Sequence, residues 1–232
     1  MSRLLIAFAA LAVVSASPAP RPPEASTVLA AAKAASGGAA WDSLDGSHES
    51  GAHSGMPYQT WLDFRHYGMR SESGSGDAVR ARGFNGKVMW QSAGGKVQVI
   101  TDPAMISDQI TTAFVSNNGF FYPDRFPMTA RYLRADALEG RAYDVVEVKP
   151  EGGRATELWF DRETHLLGRL GDPHGSPPVT VDISDYRKVG PVLIGFHGVI
   201  KAPDGTKMDE LNVGLTEFVP VDRSRFDPPA GH

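Results

Sequence analysis

The sequence has no cysteine among its 232 residues. The chain therefore forms no disulfide bond, and a hydrophobic core must carry its stability alone. The same absence removes the thiol that would hold a lipid anchor behind an N-terminal signal sequence. We therefore expect a mature protein that is free rather than tethered to a membrane by an acyl chain.

Apolar runs long enough to cross a membrane are also lacking. The N-terminal run Leu4–Val14 is too short, because a bilayer-spanning helix needs roughly 20 apolar residues. Arg3 precedes this run, and Val14-Ser15-Ala16 supplies small residues at a cleavage position. The pattern predicts a signal peptide over residues 1–16, with an uncleaved anchor as the less favoured alternative. We expect a periplasmic protein, with secretion as the alternative, and a cleaved chain that does not span the membrane.

Strong charge of either sign and the common catalytic signatures are missing as well. The net charge is −4, with acidic and basic residues interspersed, so no nucleic-acid partner is expected. The chain contains no His-Glu-x-x-His pattern, no Gly-x-Ser-x-Gly elbow and no Gly-rich phosphate loop before a helix. We therefore expect no enzyme, no cofactor and no metal site.

Two polar clusters have the residue types of a site without its spacing. The two histidines of His48–His53 (HESGAH) are five residues apart, which places them on opposite faces of a strand. Outward polar residues are the favoured interpretation over metal ligands. Asp161, Glu163 and His165 have acid–base side chains, but Asp-x-Glu-Thr between two strands is typical of a turn.

What the chain does contain is strand and turn signals, with 25 glycines and 17 prolines. The central stretch Gly140–Leu170 (GRAYDVVEVKPEGGRATELWFDRETHLLGRL) predicts three successive strands joined by Pro-Glu-Gly-Gly and an acidic turn. Further strands are predicted on both sides of it, and Asn85-Gly86 is a strong hairpin signal. Apolar residues at spacings of three and four predict a helix over Pro103–Asn117, and a shorter helix is expected over Thr27–Ala35.

With roughly ten strands against two helices, we expect a mainly β (α+β) fold. Its architecture would be a strongly curved antiparallel open β-barrel with both helices on the concave side. The predicted domain covers residues 26–221. A Pro-rich leader, residues 17–25, precedes it, and a loose C-terminal tail, residues 222–232, follows it.

Several of these segments resemble a known family. Gly140–Leu170, the strand ending in Asp185-Tyr186-Arg187 and its continuation Val189–Ile194 resemble the LolA/LolB-like periplasmic lipoprotein-carrier superfamily. More closely, the chain is similar to the LolA-like N-terminal modules that precede retropepsin-type protease domains in bacterial exported proteins. Gly37–Trp41 (GGAAW) and Gly83–Trp90 (GFNGKVMW) support that second comparison.

The resemblance implies an open β-barrel whose cavity is covered by helices and holds acyl chains. No Asp-Thr-Gly or Asp-Ser-Gly triplet occurs, so the protease domain is absent from this chain. No lipid-contacting residue of the carriers maps onto a position of this sequence. The resemblance therefore implies a fold and a kind of cavity, and it leaves the cargo open.

The candidates for the cavity lining are apolar residues of four predicted strands, one face of the second helix and the aromatic segment after it. They are Leu62, Phe64, Ile106, Ile110, Phe114, Phe120, Leu158, Phe160, Val181, Ile183, Ile194 and Phe196. The same side chains would alternatively interlock as a dry core at native density.

Two functional hypotheses follow. The first is a non-enzymatic exported protein that binds a lipid, an acyl chain or another apolar ligand in the half-barrel, in lipid or lipoprotein trafficking. The second is a ligand-free interaction module of the cell envelope, with a packed interior and an envelope protein as its partner. An unrecognised hydrolase is less favoured, because no motif pairs a nucleophile with a base.

Overall fold

The computed structural model describes residues 23–229, so the predicted signal peptide and most of the leader lie outside this range. The described chain forms two α-helices, α1 (Ala25–Ser36) and α2 (Pro103–Ser116), and thirteen strands. In chain order the strands are β1 (Gly46–His53), β2 (Met56–Asp63), β3 (Met69–Ser73), β4 (Arg80–Phe84), β5 (Met89–Ala93), β6 (Lys96–Ile100), β7 (Met128–Leu138), β8 (Arg141–Pro150), β9 (Thr156–Asp161), β10 (Leu167–Asp172), β11 (Val179–Val189), β12 (Val192–Lys201) and β13 (Lys207–Phe218).

All thirteen strands belong to one antiparallel sheet, in the order β6-β5-β4-β3-β2-β1-β13-β12-β11-β10-β9-β8-β7. The chain thus makes two meanders, β1 to β6 and β7 to β13, which pair with each other through β1 and β13. Strands β6 and β7 are the two edges and do not pair, so the barrel is open. The antiparallel open architecture expected from the sequence is confirmed.

The number of strands is larger than the roughly ten predicted. Strand β3 (MRSES) gave no signal, because it is short and its one apolar residue, Met69, leaves no alternation to detect. Its neighbours define it instead, since β3 pairs along its length with both β2 and β4.

Helix α2 begins and ends close to the predicted positions. Asp102 precedes it and accepts a hydrogen bond from the Met105 backbone N–H at 2.9 Å, while Pro103 occupies the first turn. Ala113 and Phe114 are fully buried. Within residues 23–229, neither helix is long and apolar enough to cross a membrane.

The sheet curls around the helices and a short 3-10 segment, Gly119–Phe121. The Trp41 ring lies 6.0 Å from the ring of Phe64, next to β2, and 5.8 Å from that of Phe121. The Phe120 ring is 4.7 Å from that of Phe121 and 6.1 Å from that of Phe160 on β9. Strands β2 and β9 are six places apart in the sheet, which is roughly 29 Å if flat. Joining them through these few rings requires a strongly curved sheet with the rings on its concave side.

Residues 222–229 differ from the loose tail that the sequence predicted. Phe226 is only 3% exposed, and its carbonyl accepts a hydrogen bond from Trp90 Nε1 at 2.8 Å. The Arg225 guanidinium lies 4.6 Å from the Trp61 ring. Side chains alternate along the strands, and these partners point away from the helices, so the segment packs on the convex face. Buried aromatic contacts therefore hold this part of the tail.

Candidate functional site

A cavity of about 360 Å³ lies on the concave side of the sheet, beside α1 and the segment Gly119–Phe121. Most of its wall is apolar. Trp41, Leu62, Met69 and Leu167 contribute to it, together with residues of β11, β12 and β13. Its volume is at the low end of the roughly 300–1,000 Å³ that is usual for small-molecule sites. The interior of the half-barrel is therefore packed in part and hollow in part.

The structure divides the twelve predicted lining residues between this cavity and the surrounding protein. Those that line it are Leu62, Phe120, Phe160, Val181, Ile183 and Ile194. Phe64, Phe114 and Leu158 are buried in the main core cluster, and Ile110 packs against a second cluster under α2. Ile106 is half-buried on α2 away from the cavity, and Phe196 is covered by the Arg187 guanidinium, 4.6 Å from its ring.

Sequence reasoning missed the polar end of the cavity. Glu49, Tyr58 and Thr60 line it there, and the Tyr58 hydroxyl donates a hydrogen bond to Glu49 Oε1 at 2.6 Å. The alternation of β2 already placed Tyr58 and Thr60 on the same face as Leu62. Glu49 had no such signal, because only the pairing of β1 with β2, which sets it opposite Thr60, brings it to this face.

Burial dominates the electrostatics of this polar end. It raises the pKa of Glu49, and the hydrogen bond from Tyr58 and the nearby His48 offset only part of that effect. Burial also raises the pKa of the Tyr58 hydroxyl, and the charge of Glu49 adds to the rise. The pair is therefore a hydrogen-bonded polar group set into an otherwise apolar wall.

On strands β2 to β6 the concave face changes from apolar to polar along the direction of the strands. Three rows of directly paired residues cross these strands. The row under α2 is Leu62, Met69, Phe84, Met89 and Ile100, the next row is Thr60, Ser71, Arg82, Gln91 and Gln98, and the outermost row is Tyr58, Ser73, Arg80, Ala93 and Lys96. Successive rows are about 7 Å apart, so the change is complete within about 14 Å.

The histidine cluster of β1 is divided between separate polar contacts. His48 stacks on Trp61 with ring centroids 4.9 Å apart and contacts Glu217 through Nδ1 at 3.0 Å. His53 pairs with Asp209 at 2.6 Å. Among residues 23–229, no group of three or more His, Asp or Glu side chains is placed to hold a metal ion.

The acidic cluster Asp161–His165 forms the turn between β9 and β10. Asp161 Oδ1 accepts hydrogen bonds from the backbone N–H groups of Glu163 at 3.0 Å and Thr164 at 2.8 Å. Burial raises the pKa of Asp161, but these hydrogen bonds and Arg141 outweigh it and lower the pKa overall. Glu163 and His165 are exposed. The geometry is that of a carboxylate that organises a turn.

Comparison of the sequence with known protein families gives no match, and comparison with curated proteins gives none either. Solved structures are more informative. A LolA superfamily protein from Nitrosomonas europaea is 12% identical with a TM-score of 0.57, covering 89% of this chain and 98% of its own. A DUF1329 family protein from Desulfovibrio piger is 12% identical with a TM-score of 0.55, covering 88% of this chain and 97% of its own.

A third structure, described as an outer membrane lipoprotein-sorting protein domain from Vibrio parahaemolyticus, is 13% identical with a TM-score of 0.52. It covers 88% of this chain and 96% of its own. Together these similarities show that the chain has a LolA-like fold, as its sequence resemblance implied. The closer likeness to modules that precede retropepsin-type domains stays a prediction.

Proposed function

We propose that this protein is a non-enzymatic, exported protein of the bacterial envelope that binds one acyl chain or similar apolar ligand in its half-barrel. The observation that carries the proposal is the cavity of about 360 Å³ beside α1, with its largely apolar wall. The likeness to a lipoprotein-sorting domain and the predicted signal peptide support a place in lipid or lipoprotein trafficking in the periplasm.

The cavity size restricts the ligand. A volume at the low end of the small-molecule range suits one chain better than the several chains of a whole lipid. Each buried methylene contributes about 0.8 kcal/mol, so about ten of them give about 8 kcal/mol before the cost of association is subtracted. A single chain is therefore sufficient for useful affinity.

The alternative is a ligand-free interaction module that binds another envelope protein. The open sheet gives it some support, because β6 and β7 have unpaired outer edges. However, the longer edge, β7, carries Arg131, Arg134 and Asp136 and is interrupted by a bulge between Tyr132 and Arg134. Charged side chains and bulges are features that prevent edge-to-edge pairing, so the cavity is the better-supported site.

Two measurements test the proposal. Native mass spectrometry of the protein purified from its host cells should detect a bound apolar molecule. A fluorescent fatty-acid probe should bind the delipidated protein, and Ile183→Trp should weaken this binding because the larger side chain projects into the cavity. Displacing two methylenes of the ligand costs about 1.6 kcal/mol, which is a loss of affinity of about tenfold.

Val199→Trp is the matched control. Val199 is half-buried on β12 and pairs with Asp182, on the opposite face from the cavity. The Val199→Trp variant should bind the probe with an affinity within about twofold of that of the wild type. If no apolar molecule co-purifies and neither wild type nor the control takes up the probe, the interior holds no ligand and the interaction module is the correct interpretation.

A further inference from the structure

A second, basic pocket adjoins the apolar cavity on the concave face. Its volume is about 560 Å³, and its wall includes Arg80 and Arg82 of β4 and Lys96 of β6. Arg80 and Arg82 are two residues apart on one strand, so both side chains point to the same face. Lys96 joins them because its partner Ala93 lies opposite Arg80. Three cations therefore converge on one concave surface.

These cations have no acidic partner within residues 23–229. Neither arginine nor Lys96 forms an ion pair there, whereas most other arginines of the described chain do. The single carboxylate in the pocket wall, Glu72, is already paired with Arg70 at 2.7 Å. Close like charges repel one another unless an anion lies between them. The pocket thus has an unmatched positive charge suited to an anionic group.

The basic pocket and the apolar cavity are continuous. Tyr58 lines both of them. The hydroxyls of Thr60, in the wall of the cavity, and Ser71, in the wall of the basic pocket, are 3.1 Å apart. Glu49 lies at this junction under the Tyr58 hydroxyl, and its burial disfavours the charged form that would repel an anion.

We propose that the ligand is an amphiphile with an anionic head, which Arg80, Arg82 and Lys96 bind, and with a tail that enters the adjoining apolar cavity. The proposal rests on the proposed function, because it assumes that the cavity takes an alkyl chain. A phosphate or a carboxylate head satisfies it, since guanidinium groups bind both through charge-assisted, bidentate hydrogen bonds.

The test compares three probes on the full chain by isothermal titration calorimetry: dodecyl phosphate, dodecanol and inorganic phosphate. The wild type should bind dodecyl phosphate at least about tenfold more tightly than dodecanol, and added salt should reduce this difference. The triple variant Arg80→Gln, Arg82→Gln, Lys96→Gln should lose the difference and keep its affinity for dodecanol. Lys87→Gln is the matched control, because Lys87 is exposed in the neighbouring β4–β5 turn and lies outside both pockets.

Each other outcome has a distinct meaning. If dodecanol and dodecyl phosphate bind equally to the wild type and to the triple variant, the proposed function stands and the anionic head is refuted. If inorganic phosphate binds as tightly as dodecyl phosphate and the triple variant loses both, the pocket takes a free anion and the amphiphile is refuted. If neither alkyl probe binds the wild type, the proposed function itself fails and this inference fails with it.

Discussion

Replacing Phe114 by alanine should distinguish residues that stabilise the packed core from residues that line the ligand cavity. Phe114 is fully buried on α2, and its ring lies 6.4 Å from the rings of both Tyr67 and Phe120. It belongs to the main core cluster and does not line the cavity. Phe114→Ala should therefore reduce stability strongly while it leaves the affinity of the folded protein for a fatty-acid probe unchanged within about twofold.

The expected loss of stability follows from the burial of this ring. Truncation of a fully buried Phe costs about 3–5 kcal/mol, as lost transfer free energy plus the cavity left behind. Domains are stable by only about 5–15 kcal/mol in total, so this is a large fraction. For a chain of this size each kcal/mol lowers the melting temperature by about 2–4 °C, which predicts a fall of about 6–20 °C.

Urea unfolding followed by tryptophan fluorescence measures the loss, and probe titration at low temperature, where the variant stays folded, measures the affinity. Val99→Ala is the control, because Val99 is 38% exposed on the edge strand β6 and its truncation should cost less than about 0.5 kcal/mol. A cost below about 1 kcal/mol for Phe114→Ala would show that α2 does not pack there. A large loss of affinity in the folded variant would place Phe114 in the ligand site.

Three further changes test other parts of the structure. Because burial raises the folded pKa of Glu49 above 4.5, its contribution to stability is present below that pH and is lost as the pH rises through the folded pKa. In urea titrations the stability of wild type relative to Glu49→Gln should therefore fall as the pH rises above 4.5, and a constant difference contradicts this. Phe226→Ala should lower the free energy of unfolding by about 3 kcal/mol, because the ring anchors residues 222–229 on the convex face, and an unchanged urea midpoint would show that this segment is loose after all. Gly83→Ala should cost about 1–3 kcal/mol, because the added Cβ would lie 2.4 Å from the Trp90 indole, and a neutral result in thermal melting would rule out this close approach.

Local sequence signals were reliable where a strand or helix carries its own pattern. Strand β12 (Val192–Lys201) is such a case, because the segment is rich in β-branched residues and lies between two turns. The start of α2 is another, because Asp102 caps the helix and Pro103 follows it in the first turn. Such signals act over a few residues, so no knowledge of the rest of the fold is needed to interpret them.

Features that depend on strand pairing or on distant contacts could not be predicted from such local patterns. Strand β3 has a polar sequence and is defined by its two neighbours. Phe226 follows a run without periodicity, and its burial depends on Trp90, which is far away along the chain. The division of the predicted lining residues between core and cavity also depends on how the curved sheet closes around the helices, which no local pattern encodes.

The sequence by itself determined the fold class, because alternation, turn residues and helix caps are local properties of the chain and together allow only an antiparallel, mainly β arrangement. Only the tertiary structure decided which part of the interior is hollow and what borders it. The apolar row under α2 and the basic side chains of Arg80, Arg82 and Lys96 lie on the same concave face because β2 to β6 pair in one register. A shift of one residue in that register would turn the basic side chains to the convex face, since side chains alternate along a strand.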